Sequence, residues 1–273
     1  MTITTYLITG ATGDIGSRVV ERLLKRGERP RIFVRHLEKA RARYGDRVDF
    51  AVGDLGDRGS LLAALEGVDA LFLVNSGPEL ASRDEAAAMV AKSAGVKNLV
   101  KLSSMDARQN VGTGAWHARG ECAIRASGIT FTFVQPAGFM SNALEWASSI
   151  SAKGVVRAPT GDGRIGFIHP DDIAAVATEA LATREYLGES LPISGPGGSE
   201  LCRDDGENRR RNWEVAQVPA DLGPTGTSTH DRERLSAGNR RRAPLDLPRD
   251  LRGPSCHRHR KRGPRPQTKA ALV

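Results

Sequence analysis

The chain has 273 residues, 39% of them hydrophobic and 26% charged, with a formal net charge of +8. That length suits one large domain or two small ones. The charge does not describe a nucleic-acid-binding body, because residues 1–198 carry a net +1 and residues 199–273 a net +7. The three cysteines show no metal-ligand spacing and no even-numbered disulfide framework.

Taken in order, Ile3 to Thr9 is β-branched and aromatic, which predicts a buried strand. Ile15, Val19, Val20, Leu23 and Leu24 then fall at helical spacing, with Lys25 and Arg26 in the last turn and Gly27 as the stop. A second strand is expected at Arg31–Arg35, a short helix at Leu37–Tyr44 and a third strand at Val48–Val52. Leu61, Leu62 and Leu65 mark a helix stopped by Gly67. Val68–Val74 follows as a fourth strand, and Asp84–Ala94 as an alanine-rich helix. Val96–Ser103 reads as a fifth strand, Trp116–Ala126 as a helix ended by Gly128, and Ile129–Gln135 as a sixth strand that Pro136 terminates. Pro170-Asp171-Asp172 predicts a helix start with a capping Asp, and Leu191–Ser194 a late strand. Strictly alternating strands and helices imply an α/β, Rossmann-like, doubly wound parallel sheet with helices on both faces.

Near Gly195 the pattern stops. Residues 199–273 are rich in Arg and Pro and lack apolar periodicity, so they are expected to be a truncated or disordered C-terminal part. A reading-frame slip in a GC-rich gene is the preferred explanation over a functional basic arm. Codons can be chosen after Ser199 so that a neighbouring frame spells a capped amphipathic segment. The runs Arg209–Arg211 and Arg240–Arg242 would attract nucleic acid only non-specifically. Residues 1–198 are the expected folded domain. With no run of about 18 apolar residues and no secretory leader, neither membrane contact nor export is expected, and the cytoplasm is the expected compartment.

The loop Gly10-Ala11-Thr12-Gly13-Asp14-Ile15-Gly16 joins the first strand to the first helix. Glycines there let the backbone come within contact of a dinucleotide pyrophosphate, and the N–H groups and positive dipole end of the helix hold the anion. Gly10, Thr12, Gly13, Asp14, Ile15 and Gly16 are therefore candidate cofactor-binding residues, with Thr12 and Ile15 offering a hydroxyl or an N–H.

With this loop, the segments Phe33-Val34-Arg35, Gly53-Asp54-Leu55, Lys101-Leu102-Ser103-Ser104, Trp116-His117, Gln135 to Asn142 and Phe167 to Ala174 together resemble the atypical short-chain dehydrogenases/reductases. The likeness is to the NmrA-like group, near its quinone-reductase and azoreductase branch, and covers residues 1 to about 198. The resemblance implies an oxidoreductase that passes hydride from NADP(H) to a small aromatic acceptor such as a quinone or azo compound. The alternative is a non-catalytic NADP(H) sensor of the NmrA type. A monomer or homodimer is expected.

Arg35 ends the second strand where an NAD site would carry a carboxylate. Its guanidinium suits a 2′-phosphate, so NADP(H) is expected over NAD(H); a solvated surface arginine is the other reading. By the resemblance, Asp54 and Leu55 meet the adenine ring, although Asp54 is equally readable as a helix cap. Asn75 and Ser76 stand at the rim where the family passes its cofactor. Ser103 and Pro136 are expected at the nicotinamide, with Ser103 alternatively a strand-end hydroxyl satisfying the backbone. Trp116, Phe139, Met140 and Asn142 are candidates for the acceptor pocket, and Trp146 for its wall or the core.

Catalysis is the least determined part. The superfamily's Tyr-x-x-x-Lys is absent, the only tyrosines being Tyr6, Tyr44 and Tyr186. In its place stand His117 and Glu121, at i and i+4 on one helical face. A neighbouring carboxylate would raise the histidine toward its charged, proton-donating form, making His117 a catalytic candidate beside Ser103; a surface ion pair is the plainer reading. His36, His117 and His169 show no metal-ligand spacing, so no metal is expected.

Overall fold

Four buried residues, Tyr6–Thr9, form the first strand (β1) and run through the middle of a seven-stranded sheet. The structure is a computed structural model and describes residues 4–110, 112–153, 164–195 and 199–200. The remaining strands are β2 (Arg31–Val34), β3 (Asp49–Val52), β4 (Ala70–Leu73), β5 (Asn98–Leu102), β6 (Phe131–Pro136), β7 (Arg164–Ile165), β8 (Ser190–Ile193) and β9 (Ser199–Glu200). The large sheet has the order β3-β2-β1-β4-β5-β6-β8, and every pairing in it is parallel. β7 and β9 pair separately and antiparallel. β9 thus falls just after residues 1–198, the expected folded domain, and the tail after Glu200 lies outside the described residues.

The helices are α1 (Asp14–Lys25), α2 (Leu37–Tyr44), α3 (Arg58–Ala64), α4 (Leu80–Ser93), α5 (Gly114–Ser127), α6 (Ala147–Lys153) and α7 (Pro170–Ala182). β4 shows how the period of two feeds both faces. Ala70 and Phe72 enter the core beneath α1, α2 and α7, while Leu71 and Leu73 enter the core beneath α3, α4 and α5. Each such large apolar side chain contributes about 1.5–3 kcal/mol on burial.

One local expectation is corrected. His169, not an aspartate, caps α7: its Nδ1 accepts from the Asp171 N–H at 3.2 Å, with Pro170 following at the first helical position. Asp171 instead accepts from Arg18 at 2.6 Å, and its carbonyl accepts from Arg22 at 2.9 Å, which ties α7 to α1. The stretch after β6, with no clear period, forms a 3-10 turn (Met140–Trp146) that runs into α6.

The chain leaves β1 toward β2 and β3 on one side, then returns through β4 on the other. This reversal opens a crevice beyond the carboxyl ends of β1 and β4, where ligands of such sheets bind. Thr9 pins its floor: its hydroxyl donates to the Phe72 carbonyl (3.0 Å) and accepts from the Val74 N–H (2.7 Å).

Candidate cofactor and acceptor site

The glycine loop lies on that crevice, and two of its glycines are sterically required. Gly10 has φ +62°, and a Cβ there would lie 2.9 Å from the Val74 Cβ. A Cβ on Gly16 would lie 2.2 Å from the Gly10 carbonyl oxygen, so α1 meets the loop by direct backbone approach. The turn closes through the Gly13 N–H and the Gly10 carbonyl at 2.9 Å, and buried Tyr44 donates to the Ala11 carbonyl from α2. α1 starts at Asp14 with its first-turn N–H groups directed out of the helix end. Ile15 is core, leaving only its backbone for a ligand. Asp14 turns its carboxylate to Arg18 (3.0 Å) and Ser141; these bonds outweigh burial and hold its carboxyl below the usual range.

Beside the loop, a cavity of about 280 Å³ is lined by Gly10, Thr12, Arg35, Asp54, Leu55 and Asn75, six of the residues selected from the sequence. Arg83, on α4, lines it too and was not anticipated; Glu79 holds it at 2.6 Å. Arg35 is exposed, and no partner among the described residues holds its guanidinium. Of the two readings of Asp54, the cap belongs to Asp57, whose carboxylate accepts from the Gly59 N–H at 3.0 Å. Asp54 accepts from Gly56 at 2.8 Å and shapes the turn on the cavity wall. Asn75 reaches the cavity, yet its amide is engaged inside the protein: it donates to the Leu80 carbonyl (3.0 Å) and accepts from the Ser76 N–H (2.9 Å).

The ends of β5 and β6 carry a buried polar network. The Ser103 hydroxyl donates to the Glu121 carboxylate at 2.5 Å, and Gln135 donates to the same oxygen at 2.8 Å. Pro136, the last residue of β6, is buried beside it. Ser103 is 3% exposed, so in this structure its hydroxyl joins strand to helix instead of facing an open cleft. The expectation for His117 is overturned. Glu121 turns to Ser103 and Gln135, and burial, followed by the charge of Lys101, pushes the His117 imidazole down to about 4. His117 is therefore neutral at pH 7 and supplies no proton of its own. Its Nδ1 is buried without a hydrogen-bond partner among the described residues. The i,i+4 spacing placed both residues on one helical face, but partners from the sheet decide what each side chain meets.

On the acceptor side, Phe139 bridges to Ile168 and packs on the core, and the Met140 N–H donates to the Ile168 carbonyl at 3.0 Å. Met140 is 43% exposed and Asn142 is exposed, so this turn presents side chains outward. Trp116 is half-buried at the start of α5, and Trp146 packs edge-on to Phe167 with centroids 6.4 Å apart. Among the described residues no group of three His, Cys, Asp or Glu could hold a metal, and no helix is long and apolar enough to cross a membrane.

The sequence reading missed Thr9, Tyr44, the Glu121 network and a buried Lys101–Asp84 pair. A lysine inside the apolar run Asn98–Leu102, facing an alanine-rich helix with one aspartate, was the available signal for the last.

Comparison with known proteins agrees with this geometry. A family of NAD(P)H-binding proteins matches residues 10–184. Over 193 residues the chain is 43% identical to (4-alkanoyl-5-oxo-2,5-dihydrofuran-3-yl)methyl phosphate reductase of Streptomyces griseus, covering 70% of this chain and 67% of that one. Over 194 residues it is 39% identical to the NAD(P)H azoreductase of Xenophilus azovorans, covering 70% and 68%. The crystal structure of an NADPH-dependent quinone oxidoreductase from Escherichia coli, complexed with NADPH, superposes with a TM-score of 0.67 at 28% identity, covering 72% of this chain and 71% of that one.

Proposed function

Because the chain belongs to the NAD(P)H-binding family of atypical, NmrA-like short-chain dehydrogenases/reductases, we propose that it is an NADPH-dependent reductase of small aromatic acceptors such as quinones or azo compounds. The observation that carries this reading is the crevice itself. Gly10 and Gly16 let the loop fold tightly against Val74 and the start of α1, which sets its backbone at the helix end where a pyrophosphate would bind, and Arg35, without a partner among the described residues, lines the adjoining cavity. Arg35 would bind a 2′-phosphate through charge-assisted hydrogen bonds, which favours NADPH over NADH. When bound, the cofactor supplies the hydride. Pro136, at the end of β6, would border the nicotinamide, with Ser103 acting behind it through its bond to Glu121. Phe139, Met140 and Asn142, with Trp116, would orient a flat acceptor. His117, uncharged, would offer only a hydrogen bond, and water would supply the proton that the reduced acceptor takes up. Turnover of this kind does not require the absent tyrosine and lysine.

The test is NADPH oxidation followed by absorbance with a panel of quinones and an azo dye. Acceptor-dependent oxidation is expected. No turnover above buffer, with NADPH demonstrably bound, would reject the reductase. The neutral His117 favours one second reading, a sensor: NADPH and NADP+ would then bind with different affinities and no acceptor would be reduced.

A further inference from the structure

Under the wall of the crevice that follows β4 lies a pair of charges that the proposed chemistry leaves unused. Lys101 of β5 and Asp84 of α4 are both 0% exposed, and the Lys101 Nζ is 2.5 Å from the Asp84 Oδ2. Removing two ions from water is costly, and apolar residues of similar volume are often as stabilising or more so. Stability therefore does not account for the pair.

Its contacts do. The other carboxylate oxygen, Oδ1, lies 3.4 Å from the Asn75 amide nitrogen, which also donates to the Leu80 carbonyl at 3.0 Å. The Asn75 oxygen in turn accepts from the Ser76 N–H at 2.9 Å. Asn75 and Ser76 both line the cavity that Arg35 and Asp54 share. From the far side, α5 leaves a notch for the carboxylate: a Cβ on Gly120 would lie 2.2 Å from the Asp84 Oδ2. The carboxylate is thus gripped by an ammonium on one oxygen and holds the turn after β4 with the other.

We propose that Asp84 and Lys101 are positioning residues for cofactor binding: Lys101 orients the Asp84 carboxylate, Asp84 orients Asn75, and Asn75 holds the turn that receives the adenosine half of the dinucleotide. This rests on reading the cavity as the cofactor's. Lys101 alone is a poor target for substitution. Burial pushes the Asp84 carboxyl up and Lys101 opposes it, so an unpaired Asp84 would change its protonation and confuse the result.

The experiment removes both charges with the branched or linear heavy-atom shape of each side chain kept, Asp84→Leu with Lys101→Met, and measures binding of NADPH and of 2′,5′-ADP by calorimetry alongside a thermal melt. The expected result is a melt within a few degrees of wild type and roughly 10-fold weaker binding of both ligands, an effect on the adenosine fragment that a purely structural role would not give at unchanged stability. Asn75→Ala, in the turn itself, should reproduce the loss and serves if the double variant does not fold. Combining all three substitutions should add no more than about twofold, because they break one chain of contacts. Binding within twofold of wild type in Asp84→Leu/Lys101→Met, or in Asn75→Ala, would overturn the proposal, as would losses that multiply in the triple variant. A wild-type protein that binds neither ligand would refute the reading of the cavity, and the anchor with it. Wild-type binding with an indifferent variant would refute the anchor alone.

Discussion

Acidification should destabilise this protein through His117, by an amount that can be worked out. Burial, with Lys101 adding to it, pushes the imidazole from 6.5 down to about 4 in the folded chain. In the unfolded chain it protonates near its ordinary value of about 6.5. Above that value neither state is protonated and the group has no effect on stability. As pH falls from about 6.5 toward 4, the unfolded state takes up a proton that the native state refuses, so stability declines. The loss reaches about 2 kcal/mol at pH 5 and levels off near 3 kcal/mol once both states are protonated. Both figures are upper values, because His117 is only partly shielded from solvent screening. In His117→Gln this component is absent, while other buried acids such as Asp84 titrate in both proteins. Urea midpoints measured from pH 7 to pH 5 should therefore move in favour of the variant by up to about 2 kcal/mol. The imidazole proton resonances should show no titration down to pH 5. Parallel pH curves for the two proteins, or a His117 resonance titrating at or above 6.5, would refute the reasoning and return His117 to the role of proton donor.

Other substitutions test the crevice. Gly16→Ala places a Cβ 2.2 Å from the Gly10 carbonyl oxygen, so NADPH binding should vanish in calorimetry and stability should drop by about 1–3 kcal/mol. Thr9→Val keeps the shape but removes the acceptor 2.7 Å from the Val74 N–H; a loss of about 1–3 kcal/mol in denaturant unfolding is expected, and unchanged stability would show that the floor is held elsewhere. Arg35→Gln should weaken NADPH roughly 10- to 100-fold, on the basis of about 1.5–3 kcal/mol for a charge-assisted bond, and leave NADH within about twofold. Equal losses for both coenzymes would mean that Arg35 does not read the 2′-phosphate.

Local rules made most of the architecture readable in advance. The unbroken apolar run Ala70–Leu73, helical spacing from Ile15 to Leu23, and glycine stops at Gly27 and Gly67 each depend on residues close together in the chain. The parallel sheet follows from the alternation of strands and helices along the chain, but its strand order, with the reversal between β1 and β4, comes from the tertiary structure. The 3-10 turn at Met140–Trp146 escaped for the complementary reason: it has no period, and backbone bonds to Ile168 shape its start.

The amino-acid order was enough to specify a doubly wound sheet, a glycine loop between its first strand and first helix and an arginine at the end of the second strand, since each is a matter of spacing within a few residues. Folding alone settled the charge of His117, the burial of the Ser103 hydroxyl and the pairing of Lys101 with Asp84. Electrostatic character depends on distance and dielectric, and those are set by neighbours brought from other strands and helices. Counting along one helix names the residues on a face, but only packing says what that face meets.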